Sequence, residues 1–194
     1  MLRDMPYGKT VTPGYTVIYP NRDKPTSKTT KAIVVLIMLI SVGLMLIVTI
    51  GGWSKLQGMK PVNFVWCIAY VIMAFYIGAR WSRGLLPIVS ALAILLLIMT
   101  VIAGTGAAGT SWFDRNSSGF AGAQSLFGGS GLTPDFLGLI TLIIAPVQAL
   151  LILVAMAGFA QGWNVELEVP IEEARRRGYS PTSPSPPPAA PATA

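Results

Sequence analysis

The chain has 194 residues, 53% of them hydrophobic and only 11% charged, with a formal net charge of +6 and a mean hydropathy of +0.61. A soluble domain carries roughly 25% charged residues, so a soluble enzyme and a wholly disordered chain both fit poorly, and an integral membrane protein is indicated. The sequence has no histidine and a single cysteine, Cys67, which removes His-based haem and metal sites, Cys-ligated clusters and His-dependent nucleophilic triads. No cofactor, metal or catalytic residue is therefore expected.

Residues 1–30 carry Pro6, Pro13, Pro20 and Pro25 with Tyr7, Tyr15 and Tyr19 between them. They read as an extended, basic cytoplasmic arm. Within it the segment 16–20 (TVIYP) alternates weakly, the pattern of a short strand laid against a partner. Thirty mostly polar residues before the first apolar stretch do not make a cleavable signal peptide. The first helix is thus expected to serve as both targeting signal and anchor.

Four stretches without charge follow, 32–54, 61–79, 84–113 and 136–165, of 23, 19, 30 and 30 residues. A hydrocarbon core of ~30 Å requires about 20 apolar residues in a helix. Transmembrane helices are predicted at 31–53, 61–81, 84–104 and 136–163. The first two are joined by a short polar linker and the next two by a tight turn before Gly84, and such connections predict successive helices as antiparallel neighbours. The third connection, 105–135, holds seven glycines and five serines and is predicted as a long outer loop. Its densest cluster is SWFDR at 111–115, and the sequon at Asn116 matters only in a glycosylating host.

An even number of spans puts both termini on one side. That side collects eleven Lys and Arg residues against three on the other, so the positive-inside rule assigns the termini to the cytoplasm and the chain to the plasma membrane. Trp53, Trp66 and Trp112 fall toward one interface, Trp81 and Trp163 toward the other, as an aromatic belt does. The charge needs no nucleic-acid partner, because membrane lipid accounts for basic residues at span ends.

After the last span, residues 164–178 read as a short cytoplasmic segment. Residues 165–169 (VELEV) alternate, Pro170 opens a short helix through IEEARRR, and Gly178 ends it. Residues 179–194, rich in proline, read as a disordered tail.

Within the spans, two kinds of residue stand out. Gln148 lies near the middle of the fourth helix, two residues after Pro146, whose ring frees a backbone carbonyl. An amide at that depth joins helices through an interhelical bond, or else forms part of a solute path at a broken helix. Small residues spaced four apart, Gly158 with Gly162 and Ala74 with Gly78, mark seams where helix backbones approach closely. The fold expected is an all-α integral membrane protein of four spans. The role expected is non-catalytic: an accessory, assembly or scaffold subunit of a larger membrane complex, for which an energy-transducing complex is one candidate host, or a homo-oligomer. The alternative is a small transporter or channel acting as an oligomer.

Overall fold

The computed structural model describes residues 12–54, 56, 60–105 and 131–179. A short strand β1 (Tyr15–Ile18) and a single turn of helix α1 (Pro20–Asp23) lead into four long helices, α2 (Pro25–Gly51), α3 (Lys60–Arg80), α4 (Leu85–Thr105) and α5 (Pro134–Ala160). Strand β2 (Leu167–Pro170) and the short helix α6 (Ile171–Arg176) follow. The four long helices have 27, 21, 21 and 27 residues and are long and apolar enough to cross a bilayer. At 1.5 Å per residue the shorter pair spans about 32 Å, close to the hydrocarbon thickness. The arm 1–11, the loop residues 106–130 with SWFDR, Trp112 and the sequon, and the tail 180–194 lie outside the described residues.

α3 and α4 match the expected bounds within one residue, whereas the ends of α2 and α5 differ from them. α2 begins at Pro25, six residues before the expected start at 31, because Pro at the first helical position presets φ and the polar TSKTTK stretch propagates the helix outside the apolar zone. Charge marks the limit of the hydrocarbon region, and the helix continues past it. α5 begins at Pro134, where the hydroxyl of Thr133 accepts the N–H of Phe136 at 3.4 Å. It ends at Ala160 with Gln161 as cap, three residues short of the expected end. Gly162, expected inside the helix, instead has φ of +63° and turns the chain out of it.

α2 packs against both α3 and α5, and α4 packs most extensively against α5. Neighbours run antiparallel: Asn63 of α3 reaches Thr49 of α2 while Gly78 faces Val35, and Gly158 of α5 sits beside Thr30. The expectation that α3 and α4 pack as neighbours fails, since these consecutive helices barely touch. The turn at 81–84 carries the chain from the flank of α2 to the flank of α5, placing Leu86 against Gly158. Trp81 makes this possible by taking φ of +54°, a left-handed conformation rare for a bulky residue. Its ring is held edge-on to Trp163 at 5.4 Å and beneath the Lys31 ammonium at 3.8 Å.

Each pairing follows a stripe of buried residues at helical spacing. Cys67, Tyr70, Met73, Ala74 and Ile77 form the buried side of α3, and Leu86, Val89, Ala93, Leu96 and Thr100 that of α4. The opposite faces, such as Phe64, Ile68, Val71 and Phe75 on α3, are apolar and exposed, as a lipid-facing surface is.

Before α2 and after α5 the two terminal segments meet. β1 and β2 pair antiparallel, with Thr16 opposite Val169 and Ile18 opposite Leu167. Ile18, Val169 and Ala174 form a small core covered by Tyr179. The Asn21 amide donates to the Gly162 carbonyl at 3.1 Å, and the Arg22 guanidinium donates to the Trp163 carbonyl and the Asn164 side chain, each at 3.2 Å. The arm and the C-terminal segment, separate units in the sequence reading, thus build one cap on one end of the helices, and the partner of the 16–20 strand is the chain itself. Trp163 belongs to this junction: it is fully buried instead of standing at a lipid interface, and its indole N–H donates to Gln161 at 2.9 Å.

Candidate functional site: a buried amide junction and a lateral pocket

α5 carries its one mid-helix carboxamide, Gln148, into full burial between α2 and α3. Its Oε1 accepts the hydroxyl of Tyr70 at 2.8 Å, and its Nε2 donates to Oγ of Ser41 at 2.9 Å. Ser41 in turn donates to the Ile37 carbonyl at 2.8 Å, one turn back in α2. Three helices are therefore joined at one depth by a chain of hydrogen bonds in which each group has a partner. One turn before Tyr70, the indole N–H of Trp66 is buried with no hydrogen-bond partner among the described residues. Pro146 lies on the outward side of α5, with its ring exposed and out of the junction.

The small residues occupy distinct places. A Cβ on Gly158 would stand 3.2 Å from the Trp163 ring and 3.3 Å from both Leu86 and Thr30, so α2, α4, α5 and the cap converge on this one position. Gly162 lies outside the helix, and a side chain there would press on Val165 at 3.3 Å. The two glycines therefore do not form a continuous helical seam. Ala74 is buried, and Gly78 faces Val35 across the α2–α3 contact, where its carbonyl accepts the Lys31 ammonium at 3.0 Å. The tightest crossing was not singled out in the sequence. It lies between α4 and α5, where a Cβ on Gly104 would come within 2.6 Å of Leu142 and 3.2 Å of the Gly138 carbonyl.

At the end of the helices away from the cap, the gap between α3 and α4 leaves a pocket of about 280 Å³. Met45 and Val48 of α2, Leu96 and Met99 of α4 and Ile144 of α5 form its walls, with Asn63 of α3 at one side. Each of its polar side chains donates a hydrogen bond within the chain. Asn63 donates to Thr49 at 3.0 Å, Thr100 to the Leu97 carbonyl at 2.9 Å and Thr141 to the Leu137 carbonyl at 2.8 Å. Among the described residues no group of three or more His, Cys, Asp or Glu side chains comes together.

The sequence identified Gln148 and Gly158 from depth and from residue size, but missed Tyr70 and Ser41 as partners of the amide. Both look like ordinary members of an apolar run, and only the rotation of α3 and α2 about their axes aims them inward. No protein-family model, curated protein or solved structure matches this chain.

Proposed function

We propose that the chain is a non-catalytic plasma-membrane protein that acts through contacts, as an accessory or assembly subunit of a larger membrane complex or as a homo-oligomer. The observation carrying this reading is the state of Gln148. A polar side chain that serves a passing solute must have an uncommitted donor or acceptor facing a path. Here the amide oxygen and nitrogen are both committed to Tyr70 and Ser41, in a site fully closed to the surroundings. That arrangement suits a rigid scaffold. The apolar outer face of α3 offers a surface on which a neighbouring helix packs.

The orientation proposed places the cap in the cytoplasm. Eleven Lys and Arg residues lie on the side of the termini and three on the other. Reporter fusions after residue 120 are expected to be active outside the cytoplasm and fusions after residue 180 inside; the reverse pattern discards the orientation.

Purification of the full chain in mild detergent tests the role. Co-purification of membrane polypeptides in fixed stoichiometry, or a self-complex of defined size, is the expected result. Solute flux through liposomes holding the purified chain, abolished by Gln148→Leu while thermal stability stays intact, overturns the reading in favour of transport.

A further inference from the structure

The pocket between α3 and α4 lies within the apolar length of the spans, and Ile102 on its rim is 45% exposed. It therefore opens sideways toward lipid. We propose that this pocket is a lipid site, holding one acyl chain of an anionic phospholipid whose headgroup rests at Lys60. This goes beyond the contact role proposed above and stands independently of it.

Size narrows the occupant first. The cavity of about 280 Å³ lies at the low end of small-molecule pockets, which run from about 300 to 1,000 Å³. A helix 10–12 Å across fills roughly 1,000 Å³ or more along only ~15 Å of its length, so a partner helix cannot enter. A single hydrocarbon chain can. Chemistry narrows it further. The hydroxyls of Thr100 and Thr141 and the Asn63 amide donate to protein acceptors, so the wall offers a polar ligand little. Met45 and Met99 are unbranched and flexible, and such side chains mould to an aliphatic chain.

Charge supplies the other half. Lys60 opens α3, about one helical turn before Asn63 of the pocket wall. Its ammonium sits 4.4 Å from the centre of the Trp53 ring and forms no ion pair among the described residues. Trp53 packs edge-on with Phe64 at 6.3 Å, an aromatic group of the kind found at headgroup depth. A phosphate at Lys60 also meets the positive end of the α3 dipole. In this proposal the acyl chain runs from a headgroup at Lys60, past Asn63, into the apolar slot.

Native mass spectrometry of the full chain tests this, after exchange into vesicles or micelles containing either phosphatidylglycerol or phosphatidylcholine. One phosphatidylglycerol per chain is expected to survive detergent washing, with phosphatidylcholine held more weakly. Lys60→Gln is expected to weaken retention of phosphatidylglycerol about fivefold, the scale of one basic residue at an anionic surface, and to leave phosphatidylcholine unchanged. Ala103→Phe, which fills the slot, is expected to remove both lipids; Ala103→Leu repeats the test with less bulk. Retention unaffected by either Ala103 variant overturns the site, and equal loss of both lipids in Lys60→Gln overturns the headgroup assignment. A photoreactive residue at position 102 that captures polypeptide instead of lipid gives the pocket to a protein partner and also overturns the proposal.

Discussion

Gln148 shows how much a single polar residue organises when its surroundings cannot hydrate it. Gln148→Leu leaves the Tyr70 hydroxyl without its acceptor, whereas Ser41 keeps its bond to the Ile37 carbonyl. Interhelical bonds of this kind are worth ~0.6–1.7 kcal/mol in a membrane, and a loss of about 1 kcal/mol is expected in reversible unfolding from detergent. A double-mutant cycle with Tyr70→Phe is expected to show coupling of similar size, because the second change removes the donor that the first one orphans. Gly158→Leu is expected to cost more, about 1–3 kcal/mol or beyond, since its side chain would intrude on Trp163, Leu86 and Thr30 together. A thermal melt ranking the two variants in the opposite order would show the amide to be the stronger tie. The depth of Gln148 within its span was legible in the sequence. Its partners were not, because an apolar run of 19 or more residues contains no record of which face turns inward.

At the scale of the elements, absence of charge located all four spans, and it did so because hydrocarbon rejects charge whatever the helix packs against. The same signal misplaced their ends, as at Pro25, where helix geometry continues into water, and at Gly162, where backbone conformation stops the helix inside an uncharged run. Which helices pair was also hidden. Loop length favoured α3 with α4, yet the close approach at Gly104 and Gly138 draws α4 onto α5. Gly104→Val is expected to loosen that pairing. Its branched side chain meets Leu142 and the Gly138 carbonyl, an overpacking cost of about 1–3 kcal/mol. Disulfide trapping of cysteine pairs placed across α4 and α5 measures it, and undiminished cross-linking would mean that Leu142 simply swings aside.

Across the whole molecule, the four helices and the terminal cap are separable structures with a shared boundary. Arg83 illustrates the boundary: its guanidinium donates to the Phe159 carbonyl at 2.7 Å and lies 4.3 Å from the centre of the Phe159 ring, closing the end of α5 with a cation. The cap's own core is small, Ile18 with Val169 and Ala174. Ile18→Asp buries a charge there and is expected to open the ribbon, so that limited proteolysis within residues 164–179 accelerates. The main thermal transition, set by the long helices, is expected to move little. A large fall in that transition would show that the cap holds the spans together. The alternation at 16–20 and at 165–169 was legible in the sequence, but not their pairing, because each strand is four residues long and its partner lies at the other end of the four helices.

That separation gives the ribbon a place in time. β1 leaves the ribosome before the four long helices, whereas β2 follows them, and Asn21 finds the Gly162 carbonyl 141 residues later. Until then the first strand carries an unpaired edge, the feature that nascent chains expose to chaperones and proteases. Closure requires every helix to have been inserted and the last to emerge on the side where the first began. A chain that skips a span delivers its second strand to the wrong compartment and never closes. Closure of the ribbon thereby requires the segments before the first and after the last of the four helices to lie at one end of them.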